Sequence, residues 1–185
     1  PSLNAEARLE VWVENIASII YCSRMNPTPL LRRMDPQEYR HYSAFSFASF
    51  AKESSLASGE PFDAVRARFG SPPEVPDDRD LWFVIDLGGK TIGFIWIQLL
   101  AQPGHAFGYE IQLDEAYRGQ GIGRQVMLVG QKVLRDHEIH KLQICVFATN
   151  APARALYASL GFREVKFKPE KKQFTLEIDI PPATE

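Results

Sequence analysis

Tyr117-Arg118-Gly119-Gln120-Gly121-Ile122-Gly123-Arg124 is the stretch on which the reading of this chain turns. Three glycines alternate over five residues, so alternate positions lack a Cβ and backbone N–H groups can approach a ligand closely. An apolar spacing follows at once. Ile122, Val126, Val129 and Val133 fall at i, i+4, i+7 and i+11, which predicts a helix over 121–136 with one face against a sheet. The β-rich runs 106–114 and 141–147 on either side read as strands, making the stretch the turn of a strand-helix-strand unit. At such a turn the positive helix end favours an anion, and a pyrophosphate suits it best. The plain alternative is a tight turn that recruits glycine for geometry alone and binds nothing.

Outward from that unit, 81–86 and 91–100 are β-branched and aromatic runs separated by Gly88-Gly89, the pattern of an antiparallel hairpin. The proline-rich segment 71–80 is a loop, preceded by a short helix over 61–69 that stops at Gly70. A longer helix opens at Asp35-Pro36-Gln37-Glu38, where Asp35 caps, Pro36 suits the first turn and Glu38 completes a capping box. It runs to about residue 52 and carries Tyr39, Tyr42, Phe45, Phe47 and Phe50, rings expected mostly in the core, with a substrate wall as the second reading. Residues 30–34, 162–167 and 173–178 read as strands and 151–160 as a helix. Over 1–27, Leu9, Val13, Ile16 and Ile20 keep helical spacing while Leu9, Val11 and Val13 alternate like a strand; helix is favoured. The expected organisation is an N-terminal extension, 1–27, packed on a domain spanning 28–185. The expected class is α/β of the α+β kind: a mixed, mostly antiparallel central sheet with a β-α-β unit and helices on both faces.

At 185 residues one domain is expected, and 45% hydrophobic with 24% charged residues is ordinary for a chain that folds alone. Lys and Arg number 21 against 23 Asp and Glu, a net −2 that lacks the positive field of bulk nucleic-acid binding. Cys22 and Cys145 have no Cys-x-x-Cys spacing and read as reduced, half-buried thiols. The apolar run 11–22 is broken by Glu14 and Asn15 and has neither a basic flank nor a cleavage signal. A cytoplasmic chain without a membrane span is the expectation.

Other chemistries fail on specific residues. A P-loop needs a lysine after its glycines and none follows; a dinucleotide fingerprint counted from Gly119 meets Arg124 at its third glycine, and Phe147-Ala148-Thr149 offers a ribose no carboxylate. His137-Glu138-Ile139-His140 is one residue short of His-Glu-x-x-His, so no metal site is expected. There is no Gly-x-Ser-x-Gly elbow, and Cys145 on its strand reads as a small core residue.

Arg118-Gly119-Gln120-Gly121-Ile122-Gly123 resembles the signature of the GNAT superfamily of acyl-CoA-dependent N-acyltransferases, Arg or Gln, x, x, Gly, x, Gly or Ala. A second family signature is present in the right order: Asn150-Ala151-Pro152-Ala153-Arg154-Ala155-Leu156-Tyr157, then Leu160-Gly161-Phe162. The resemblance spans about 30–178. It implies transfer of an acetyl group from acetyl-CoA, as co-substrate, to a primary amine by direct attack in a ternary complex. A primary amine is mostly ammonium at neutral pH and must lose a proton first. Period two along the strand puts Glu110 and Gln112 on one face and the apolar residues on the other, and Glu110 is the expected base, with a positioning role as its alternative. The resemblance further implies backbone N–H groups of Ile111 and Leu113 beside the acyl group and Tyr157 as acid toward the leaving sulfur, against a packing role in the stripe Ala153, Leu156, Tyr157, Leu160. Arg118, Gly119, Gln120, Gly121, Ile122, Gly123 and Arg124 would wrap the pyrophosphate. Asn150 would meet the pantetheine arm, although an N-cap role explains it as well.

The partner implied is a small-molecule or peptide amine, in a monomer or homodimer, without nucleic acid or membrane. In this family the acceptor is chosen by the first helices and loops, here 39–80. A non-catalytic acyl-CoA sensor is the alternative function.

Overall fold

The computed structural model describes residues 27–182; the 1–27 extension (its last residue apart), Cys22 and the 11–22 run lie outside the described residues. The elements in chain order are β1 (Leu30–Arg33), α1 (Pro36–Ser58), α2 (Phe62–Phe69), β2 (Asp80–Leu87), β3 (Lys90–Leu99), β4 (His105–Leu113), α3 (Ile122–Asp136), β5 (Lys141–Phe147), α4 (Ala151–Ser159), β6 (Arg163–Lys168) and β7 (Gln173–Asp179). The strands form one sheet ordered β1-β2-β3-β4-β5-β7-β6, antiparallel except where β4 runs parallel to β5 across the α3 crossover. Among the described residues no helix is long and apolar enough to cross a membrane.

Local chemistry explains the element ends. Asp35 accepts from the N–H groups of Gln37 and Glu38 at 2.8 Å each, and the Glu38 carboxylate accepts from the Asp35 N–H at 2.9 Å, closing the capping box. Gly88 and Gly89 both hold positive φ, 59° and 84°, the primed turn that a two-residue hairpin requires. Helix α1 runs six residues past its expected end. Its amphipathic pattern fades after Lys52, but nothing breaks the backbone until Gly59 takes a left-handed φ of 78° and donates to the Ser55 carbonyl.

The pleat of β3 separates two cores. Ile95 and Ile97 join Met127, Leu134, Ile144, Tyr157 and Leu176 beneath α3 and α4. Phe94 packs with Tyr39 and Trp82, with Trp96 against them, beneath α1. On α3 the buried line is Ile122, Val126, Gly130 and Leu134; Val129 and Val133, expected in it, are only half-buried on its flank. Met127 is buried beside this line, and Ile95 Cδ1 stands 3.9 Å from where a Cβ on Gly130 would be, an ordinary contact, so the face turned to the sheet runs through Gly130 and not through the two valines.

The aromatic stretch of α1 departs further from expectation. Of its five rings only Tyr39 is buried; Phe45 and Phe50 are exposed, and Tyr42 and Phe47 are intermediate. A helix laid across a sheet buries one narrow stripe, and here part of that stripe is the small residues Ser43, Ser46 and Ala51, leaving the rings at its flanks.

Gly93 in mid-β3 meets the bend of the neighbouring strand. A Cβ there would lie 2.0 Å from the Gln112 carbonyl oxygen, on backbone that cannot step aside. Gly93→Ala is therefore expected to destabilise the chain by about 2–4 kcal/mol, read as a lowered denaturant midpoint at unchanged slope.

Candidate functional site

Strands β4 and β5 pair only from His105 with Lys141 to Gly108 with Ile144, then part. Beyond Gly108 the backbone of β4 has a β3 partner on one edge and an opening on the other. The Asp114 N–H donates to the Ile92 carbonyl at 2.8 Å, flanking the facing residues Gly93 and Leu113 and making them a non-hydrogen-bonded pair. Alternation then aims the N–H groups of Leu113 and Ile111 away from β3, into the opening. The opening joins the two faces of the sheet.

At its lower end stands the glycine turn. Gly119 and Gly121 hold φ of 71° and 78°, Gln120 between them does not, and α3 starts at Ile122 with Gly121 as its cap residue. Among the described residues the N–H groups of Gly119, Gln120, Gly121, Ile122 and Gly123 donate to nothing; the first helical bonds are those of Arg124 and Gln125 to the Gly121 carbonyl. Five consecutive free donors at the positive end of a helix make a concavity of the kind that can hold an anion. Space around Gly119 and Gly121 is open, so their need for glycine is conformational, whereas a Cβ on Gly123 would lie 3.4 Å from Leu156 and 3.8 Å from Leu113. Gly123 thereby brings the turn, the end of β4 and α4 together.

The side chains of the turn are partly committed elsewhere. Arg118 Nε donates to the Leu113 carbonyl at 2.8 Å, and Gln120 Nε2 to the Ala116 carbonyl at 2.6 Å. The Arg124 guanidinium donates to the carbonyl and hydroxyl of Ser159 at the end of α4, at 3.0 and 3.1 Å, which fixes α4 to the turn. Ile122 is buried as a core anchor. Asn150 caps α4, its carbonyl oxygen accepting from the Ala153 N–H at 3.2 Å, while its NH2 has no partner among the described residues.

Tyr157 stands on α4 in the core beneath α3, its ring 5.4 Å from that of Phe162. Burial pushes its phenol up to about 12. The hydroxyl makes no hydrogen bond among the described residues, yet no buried polar side-chain atom there is left without a partner, so the oxygen keeps an accessible face.

Glu110 lies on the opposite face, under α1. Its carboxylate accepts a short hydrogen bond from the hydroxyl of Ser46, a buried residue of α1. Burial raises its pKa above the ordinary carboxylate range; the Ser46 bond opposes this, and the charge of Glu53 adds to it. The expected alternation is broken here. Glu110 faces Trp96 across the ladder but the next pair is Ile97 with Gly108, so Tyr109 is the extra residue of a β-bulge. Tyr109 and Glu110 consequently share the α1 face, and Tyr109 is not grouped with Ile111 and Leu113 as strict period two would have it.

Both line a cavity of about 200 Å³ whose other walls are Phe47, Phe50 and Phe69 from the helices, Trp96 from β3 and Ser46. Trp96 stacks on Tyr109 at 4.1 Å and on Trp82 at 4.5 Å, and Asp80 holds its indole N–H at 3.1 Å. Ser46, Trp96 and Tyr109 escaped the sequence reading. Ser46 carries no local signal, because its partner is 64 residues away; the rings of α1 carried a signal that burial statistics outweighed.

Comparison with known proteins gives a consistent picture. The family model described as Acetyltransferase (GNAT) family matches residues 41–162. The chain is 30% identical over 160 residues to the uncharacterized N-acetyltransferase YycN of Bacillus subtilis, covering 78% of this chain and 99% of that protein. The crystal structure of that acetyltransferase superposes with a TM-score of 0.68 over 76% of this chain and 96% of that one. A mycothiol acetyltransferase of Acidothermus cellulolyticus is 34% identical over 100 residues, 46% of this chain but 31% of that protein. At 17% identity, the spermidine N-acetyltransferase of Vibrio cholerae, in complex with CoA and spermine, shares the fold with a TM-score of 0.63 over 84% of this chain and 97% of that one.

Proposed function

The chain belongs to the GNAT acetyltransferase family and is thereby an acyltransferase, and from that premise we propose that it carries an acetyl group from acetyl-CoA to a primary amine by direct attack in a ternary complex. The observation that carries the reading is the arc of five unpaired N–H groups, residues 119–123, at the foot of the opening between β4 and β5. The donor set fits the group: a diphosphate is an anion that such an arc and helix end hold through main-chain donors alone. Arg118, whose Nε is occupied but whose remaining guanidinium donors face solvent, adds charge to the same turn. When bound, acetyl-CoA supplies an activated acyl thioester with a thiol leaving group.

The chain's own residues then divide the work by face. Glu110, deprotonated, takes the ammonium proton on the α1 side, directly or through a water. The Ile111 and Leu113 N–H groups, fixed by the strand, stabilise negative charge developing on an acyl oxygen in the opening, each such donor worth roughly 3 kcal/mol. Tyr157, on the α3 and α4 side, meets the departing sulfur. Its pKa of about 12 lies well above that of a thiol, near 8.5, and a gap of roughly 3.5 units is about 5 kcal/mol against outright transfer. Tyr157 acts by donating a hydrogen bond to the thiolate, which then gains its proton from water.

Tyr157→Phe is accordingly expected to lower kcat about 10- to 100-fold, the worth of a hydrogen bond to a charged group, with acetyl-CoA affinity unchanged. Full activity in steady-state assays would make Tyr157 a packing residue. The reading as a whole is tested by calorimetry with acetyl-CoA followed by thiol release with a panel of amines. Binding with amine-dependent release is expected; binding without release would indicate a sensor, and no binding would overturn the proposal.

A further inference from the structure

We propose that the acceptor is a compact primary amine bearing a single apolar, preferably aromatic, substituent, and that the ring-walled cavity beside Glu110 is the subsite that selects it. This rests on the transferase reading above and adds the substrate class to it. The cavity brings Phe47, Phe50, Phe69, Trp96 and Tyr109 around one carboxylate and one hydroxyl, and no Lys, Arg or His lines it. Phe50 meets Phe69 edge to face at 5.0 Å, closing α1 against α2 over the cavity, and Phe47 lies parallel to Trp96 at 6.1 Å. Tyr109 reaches this wall because of the bulge, which sets it on the same face as Glu110.

Such a lining discriminates by what it withholds. An ammonium seated at Glu110 has its counter-charge, and an apolar tail among the rings leaves water at a gain proportional to its area. A carboxylate on the α carbon, as in an amino acid, would be desolvated with no cation to meet it and with Glu110 beside it. The far ammonium of a diamine would give up its hydration without gaining the faces of Trp96, which Tyr109 and Trp82 already occupy, and ring edges are positive. Two further carboxylates stand behind the walls and outside the lining: Glu53, one turn beyond Phe50 on α1, and Asp80, whose oxygen is taken by the Trp96 indole N–H at 3.1 Å. About 200 Å³ is smaller than drug-sized pockets, and it suits one ring on a short chain.

The test compares 2-phenylethylamine with phenylalanine, which differs by the α-carboxylate, and with 1,4-diaminobutane, at saturating acetyl-CoA. The expected kcat/KM favours 2-phenylethylamine by about 100-fold over the amino acid and about 10-fold over the diamine, magnitudes typical of an unpaired buried charge. Phe50→Ala, at a rim position 39% exposed, should raise KM for 2-phenylethylamine about 5- to 10-fold and leave KM for acetyl-CoA alone. Turnover that prefers the diamine or the amino acid would overturn the inference and leave the transferase intact. A second measurement does not need transfer at all: calorimetry with N,N-dimethyl-2-phenylethylamine, a tertiary amine that cannot yield a stable amide. Binding that Phe50→Ala weakens supports the subsite even if acetyl-CoA fails to bind, and absence of binding overturns it.

Discussion

Replacing Glu110 by Gln is expected to lower kcat with the amine acceptor about 100- to 1,000-fold at neutral pH, the range of a lost general base. The substitution keeps the shape of the side chain and an oxygen for the Ser46 hydroxyl, so positioning survives while basicity is lost. In the wild type, activity rises with pH as Glu110 deprotonates, along a limb set above the ordinary carboxylate range because burial disfavours its charge. In the Gln variant that limb is missing, and residual activity climbs only as free amine accumulates at alkaline pH. An unchanged acidic limb would remove Glu110 from the chemistry.

Stability moves the opposite way. The folded pKa of Glu110 is raised above its unfolded value, so the folded chain binds the proton more tightly. Its contribution is favourable below the unfolded pKa and is lost as pH rises through the folded one. At neutral pH the wild type holds a half-buried, unfavourable charge that Glu110→Gln lacks. The variant is expected to melt higher at neutral pH, with the difference closing as pH falls below the carboxylate range. A site residue kept at a cost to the fold behaves this way; a residue kept for the fold does not.

The glycine turn, the capping box and the Gly88-Gly89 hairpin were legible because their chemistry is local: a positive φ or a cap is written within four residues. Strand β5 was legible end to end, since a central strand is bounded by its own residues. What sequence spacing did not disclose depends on neighbours. The bulge at Tyr109 exists because β3 and β4 must keep pairing while β4 parts from β5, and periodicity on one strand contains no record of it. The buried line of α3 passes through Gly130, in contact range of Ile95, which a count of valines could not register. Ser46 is the sharpest case: a hydroxyl on a helix surface in sequence, a buried partner of Glu110 in space. The two family signatures carry the cofactor side of the reading; the proposed acceptor side rests on rings of α1 expected mostly in the core, with a substrate wall as the second reading.

Gly121→Val is expected to weaken acetyl-CoA binding by about 100-fold or more, equivalent to roughly 2.7 kcal/mol or about two lost hydrogen bonds to a charged group. The cause is conformational, because a side chain on Gly121 would meet nothing within 4 Å. At φ of 78° a β-branched residue is strained by about 1–2 kcal/mol, and rotating out of the left-handed region relieves it. That rotation swings the adjacent N–H groups out of the arc formed by residues 119–123, so the relief of strain and the loss of the anion site are one event. Gly59 supplies the control: it ends α1 at the same φ of 78° and is equally unobstructed, but it lies far from the turn in sequence. Gly59→Val should therefore cost similar thermal stability while leaving the affinity for acetyl-CoA at the wild-type value. If both variants lose binding equally, general destabilisation explains the result; if Gly121→Val binds as the wild type does, the diphosphate is not held by these amides.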